Sequence, residues 1–158
     1  MLYFNKVTLA EIDGTKVEAA IRKFAAKRHA SLDLQSSATK IGTEKLFLGL
    51  ENEKSIQVTR LRSTFERFLP KLIIKFDKAK GFSEYRIRFS LLSNIVIAFM
   101  LIAVLLNVIY LIKNQEVDSE MASVVVYFFL FLLLTLVELR LTKAKLKSAI
   151  IKTTHPSS

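Results

Sequence analysis

The sequence predicts an α+β membrane protein: a small N-terminal domain with one amphipathic helix and an antiparallel sheet, then a two-helix transmembrane hairpin. Three observations carry this. Two long apolar runs stand in the second half of the 158 residues, the first half alternates apolar and polar positions, and a mean hydropathy of +0.34 coexists with 24% charged residues. A soluble core of this size would not need uninterrupted apolar runs, so the apolar and charged residues must occupy different stretches. The implied organisation is a cytoplasmic α+β domain over 1–89, a transmembrane hairpin over 90–141 and a basic cytoplasmic tail over 142–158.

At the start, Met1-Leu2-Tyr3-Phe4-Asn5-Lys6-Val7-Thr8 lacks the basic, apolar and small-residue regions of a signal peptide, so no N-terminal processing is expected. Neither glycine after Met1 nor any cysteine is present for a lipid anchor. Absence of cysteine also excludes disulfides, thiolate catalysis and cysteine-ligated metals. Leu2 to Leu9 reads as a possible edge strand.

The clearest helix of the domain begins at Thr15, where Thr15-Lys16-Val17-Glu18 has capping-box spacing after Gly14. Val17, Ala20, Ile21, Phe24 and Ala25 recur at three- and four-residue intervals, which predicts an amphipathic helix to about His29. Its basic face is solvated or rests on anionic lipid. Ser31 to Gln35 fits either strand or loop, and Gln35 to Lys40 reads as loop.

Beyond it the pattern turns to strands. Leu46 to Leu50 and Ile56 to Leu61 flank Glu51-Asn52-Glu53-Lys54 as one hairpin; Leu72 to Phe76 and Tyr85 to Phe89 form a second, with Gly81 available for a positive-φ turn position. Tyr85, Ile87 and Phe89 alternate with Glu84, Arg86 and Arg88, giving one apolar and one charged face. This strand reaches the next element without a flexible linker, which predicts a sheet held close to the membrane.

The first span is expected at about 91–112, an uncharged run in which Ser93, Asn94 and Asn107 are the strongly polar side chains. At about 1.5 Å per residue it crosses a hydrocarbon core of roughly 30 Å. The second is expected at about 121–141, with Glu138 and Arg140 reaching the interface. The turn 113–120 carries one base and three acids. Arg86 and Arg88 precede the hairpin and Arg140, Lys143, Lys145 and Lys147 follow it, forming a membrane-surface basic belt. By the positive-inside rule both termini are cytoplasmic and the acidic turn is outside. Attraction to anionic headgroups accounts for much of the net charge of +10.

Chemistry-bearing patterns are sparse. His29 and His155 stand far apart, and no phosphate-cradling glycine loop, nucleophile elbow or metal-ligand spacing occurs, so no catalytic residue, cofactor or metal site is predicted. The pairs Glu51/Glu53 and Glu11/Asp13 fall in turns, where acids are ordinarily solvated. Arg60, Arg62, Phe65, Arg67, Phe68 and Lys71 interleave charge and rings as single-strand nucleic-acid binders do. Next to a membrane, aromatics in the core or at the headgroup level with snorkelling arginines explain them better, which makes nucleic acid the weaker reading. Asn94, Asn107 and Glu138 are the intramembrane polar candidates. In an antiparallel hairpin Asn94 and Glu138 lie near the same end, where a hydrogen bond would fix register; the alternative is an ion or proton site at Glu138.

Phe65-Glu66-Arg67-Phe68-Leu69-Pro70, a hairpin feeding the first span, and a second span ending in Glu138 before a Lys-rich helix together resemble small uncharacterised bacterial two-span membrane proteins. The resemblance spans roughly the second half of the chain and implies a bacterial inner membrane, with no particular activity. The expected function is therefore a non-enzymatic membrane protein binding a protein partner, or further copies of itself, at the cytoplasmic face, as a subunit, adaptor or immunity-type factor. The alternatives are an accessory subunit of a membrane transporter or lipid-processing enzyme, and an oligomeric pore.

Overall fold

The computed structural model describes residues 3–9, 13–33, 44–114 and 119–154. Outside them lie Leu2, Glu11, the loop from Gln35 to Lys40, the middle of the turn between the apolar helices and His155, with the expectations attached to each.

The chain runs through β1 (Tyr3–Thr8), α1 (Gly14–Phe24), β2 (Ala25–Arg28), β3 (Phe47–Glu51), β4 (Ser55–Arg60), β5 (Leu72–Asp77), β6 (Glu84–Phe89), α2 (Leu91–Asn114) and α3 (Ser119–Thr154). Single 3-10 turns occupy Phe65–Phe68 and Lys78–Lys80. Six strands form one sheet in the order β1-β6-β5-β4-β3-β2. The two hairpins sit where the alternation places them, β3 against β4 and β5 against β6, and β1 closes the β6 edge antiparallel. Gly81 takes φ 57° at the turn before β6, as its position requires, and Phe82 follows at φ 59°.

Three expectations are corrected. The helix does not continue to His29: it stops at Phe24, Ala25 is extended at φ −93° and ψ 134°, and Ala25–Arg28 pairs parallel to β3. No local breaker marks that stop; the unpaired edge of β3 offers Ala25 to Arg28 backbone partners that override a favourable helical composition. The cap is not Thr15 but Asp13, whose Oδ1 accepts from the Thr15 amide at 3.0 Å, so the first helical residue is Gly14. The residues after 141 are not a separate tail. Through Thr154 they continue α3, and Leu146, Ala149 and Ile150 are buried in the main core.

That core lies on one face of the sheet. Val17, Ala20, Ile21 and Phe24 of α1 and the end of α3 cover Phe47, Ile56, Val58, Leu72, Ile74, Phe76, Tyr85, Ile87 and Phe89. On the opposite face, the buried apolar cluster among the described residues is small: Leu32, Leu48 and Ile73. Glu138, Thr142, Leu146 and Ala149 are all buried and stand four, four and three residues apart, so a single stripe of α3 faces the domain.

Among the described residues, two helices are long and apolar enough to cross a membrane. At about 1.5 Å per residue, the 24 residues of α2 extend roughly 36 Å and the 36 residues of α3 roughly 54 Å. Their apolar side chains, among them Leu92, Phe99, Ile112, Val126, Phe129 and Leu136, are exposed. Ser90 alone separates β6 from α2, so the sheet passes into the first apolar helix without a linker.

Candidate functional site

The polar chemistry concentrates where the sheet meets the two apolar helices. β4 delivers Arg60 at its last position, Arg62 follows in the connection to β5, and Glu138 arrives on the domain-facing stripe of α3. The Arg60 side chain is 2% exposed and that of Glu138 1%. Arg60 Nη2 donates to Glu138 Oε2 at 2.7 Å and its Nη1 to Glu66 Oε1 at 2.7 Å. Arg62 Nη2 approaches Glu138 Oε1 at 3.4 Å and Thr142 Oγ1 donates to the same oxygen at 3.2 Å. Two guanidinium groups and two carboxylates balance within the cluster, the condition under which buried charge is tolerated.

Arg62 also closes its own loop, donating to the Leu69 carbonyl at 2.6 Å and the Pro70 carbonyl at 2.8 Å. Its Nε is buried without a partner among the described residues. Burial lowers the pKa of Arg62 against the opposing pull of Glu138. For Arg60 burial acts the same way, but hydrogen bonds to Glu138 and Glu66 outweigh it and the pKa rises. Glu66 is pushed up by burial and brought lower overall by the Ser63 amide and Arg60.

A second cluster fastens α2. Arg88 is buried on the charged face of β6 and grips Asp33 through two bonds of 2.8 and 2.9 Å, with a third to Gln57 Oε1 at 3.1 Å. Asp33 Oδ1 also accepts from the amide of Leu91, the first residue of α2, at 2.8 Å, where a carboxylate meets the positive end of the helix dipole. The Arg88 guanidinium, opposed by burial, holds the Asp33 carboxyl below its ordinary range. Nearby, the Lys71 amide donates to Ser93 Oγ at 2.9 Å and the Ser90 amide to the Lys71 carbonyl at 2.9 Å. Lys71 Nζ donates to the Leu32 carbonyl. Burial, with the charge of Arg62 adding to it, brings the Lys71 ammonium down to about 8.

The expected site residues divide. Glu138 is at the centre of the first cluster, but its partners are Arg60, Arg62 and Thr142 and not Asn94, whose amide reaches the Phe89 carbonyl at 3.4 Å. Asn107 donates to the Ala103 carbonyl of its own helix at 2.7 Å. Arg88 does not belong to a surface belt, because β6 turns it toward Asp33 under residues 31–33. Arg86 is exposed on the open face of the sheet, beside a cavity of about 120 Å³ that Lys75, Asp77, Lys80 and Glu84 also line. Arg140, Lys145 and Lys147 are exposed and Lys143 is half-buried. Of the carboxylate pairs, Glu51 is held by Arg22 at 3.0 Å and Lys78 at 2.8 Å, and Asp13 serves as the α1 cap.

The sequence reading missed Asp33, and it missed Arg60 and Arg62 as partners of Glu138. A carboxylate at the end of an apolar run does demand a cation. Nothing local says which of 24 bases supplies it.

No protein-family model, curated protein or solved structure matches this chain.

Proposed function

We propose that this chain is a two-span integral membrane protein of the bacterial inner membrane, with both termini cytoplasmic, that holds a rigid α+β platform against the membrane for a protein partner and performs no catalysis itself. The carrying observation is α3: one unbroken helix whose first half is apolar and exposed and whose last turns are buried in the domain core. The Glu138 cluster lies where the two halves meet.

Several features support the reading. Exposed apolar side chains around α2 and the first half of α3 match a lipid environment. Arg140, Lys145 and Lys147 follow directly, where bases near anionic headgroups contribute about 1 kcal/mol each. Glu138 is saturated by Arg60, Arg62 and Thr142, which favours a fastening role over an ion pathway. The open face of the sheet, with Arg86, Lys75 and Lys80 around Asp77 and Glu84, points away from the packed helices and offers the partner a polar surface.

A photoreactive side chain at Lys75, expressed in the native host, tests this. The expected product is a discrete adduct with one protein, resistant to alkaline extraction of the membrane fraction and weakened by Arg86→Glu. Recovery of the chain in the soluble fraction, or of uncrosslinked chain alone, would count against the reading.

A further inference from the structure

The connection between β4 and β5 carries the two most exposed large apolar side chains among the described residues: Phe65 is 90% and Phe68 84% exposed. Neither packs in the core. Both stand on a single 3-10 turn with Arg67, itself exposed, between them. A domain that buries Phe47, Phe76, Phe82 and Phe89 has no reason to display two rings side by side unless something covers them.

The turn is rigid and its level is fixed. Glu66 Oε2 accepts from the Ser63 amide at 2.8 Å and Glu66 Oε1 from Arg60. Where the connection begins, Arg60 and Arg62 bind Glu138, at the end of the apolar part of α3. Where it ends, Lys71 bonds Ser93 in the first turn of α2. The turn is therefore bracketed between the points where both apolar helices join the domain.

We propose that Phe65 and Phe68 form a wedge that enters the headgroup and acyl boundary of the leaflet through which α2 and α3 pass, with Arg67 on an anionic phosphate. This rests on the membrane reading above. The bonds that tie both ends of this connection to Ser93 of α2 and Glu138 of α3, at the domain ends of the two apolar helices, select lipid as the occupant. A ring pair flanking an arginine is the composition that interfacial anchors use, apolar body below and charge above. The wedge would give the platform a third point of contact with the bilayer, which limits tilting about the two helices.

The absence of native cysteine allows single-site labelling without background. An environment-sensitive fluorophore is placed at Phe68→Cys and, with both rings kept, at Thr64→Cys. Leu105→Cys in the middle of α2 and Glu53→Cys in the β3–β4 turn serve as references. Each protein is reconstituted in phosphatidylcholine and phosphatidylglycerol vesicles and quenched by spin-labelled lipids or aqueous iodide. The wedge predicts that labels at 64 and 68 are quenched severalfold more by shallow than by deep lipid spin labels, with Leu105→Cys quenched by deep ones and Glu53→Cys by iodide alone. Iodide quenching at 64 and 68 equal to Glu53→Cys, with Leu105→Cys protected, overturns the wedge and leaves the spans standing. Protection from both quenchers at 64 and 68 also overturns it, assigning the turn to a protein contact. Iodide access to Leu105→Cys removes the membrane reading and the wedge together.

Discussion

Arg60 and Glu138, 78 positions apart, meet at 2.7 Å with both side chains almost fully buried. This ion pair joins the last position of β4 to the helix that carries the second apolar run. A bidentate guanidinium and carboxylate is directional as well as strong, so it fixes the angle between sheet and helix.

Glu138→Gln keeps the shape but removes the charge that balances Arg60 and Arg62. Breaking one partner of a buried pair strands the other, so the variant should lose about 3 kcal/mol of stability. Denaturation in detergent measures it. A loss below about 0.5 kcal/mol would mean that the cluster is hydrated and does not fasten the helix.

Lys71 sets a dependence on alkaline pH. Its folded-state pKa of about 8 lies below the ordinary 10.5, so between these values the unfolded chain binds more protons. Stability therefore rises with pH across that window, by about 1–2 kcal/mol after solvent screening of a half-buried group. Lys71→Met should flatten the rise in pH-dependent unfolding.

Gly14 opens α1 directly against the β5–β6 turn, and a Cβ there would stand 1.8 Å from the Gly81 carbonyl oxygen. Gly14→Ala must displace one of the two backbones, at about 1–3 kcal/mol. Thermal unfolding checks this, with Ala19→Gly on the exposed side of α1 as a comparison for helix propensity alone.

Ending the chain after Leu141 removes Leu146, Ala149 and Ile150 from the core. The shortened protein should expose amide protons of α1 and the sheet to rapid hydrogen exchange. Protection equal to the full chain would show that the domain is complete without the end of α3.

Much of the architecture was legible because it rests on local periodicity. The second hairpin follows from the short apolar run Leu72 to Phe76, the turn residue Gly81 and the alternation in Tyr85 to Phe89, and the apolar helices from uninterrupted runs. What escaped was set by distant partners. Ala25 to Arg28 is helical by composition and became a strand because β3 had a free edge. Leu146, Ala149 and Ile150 read as part of a charged tail, since their three- and four-residue spacing is diluted by Lys143, Lys145 and Lys147. Arg88 was legible as a charge on the polar face of β6, but its burial depends on Asp33, in a segment without periodicity.

The most direct test of the account is whether the sheet and the apolar helices move as one body. Spin labels at Glu53→Cys and Lys113→Cys, measured by double electron–electron resonance in nanodiscs, should give a single narrow distance distribution that broadens in Glu138→Gln. A broad distribution in the parent protein, unchanged by Glu138→Gln, would contradict it.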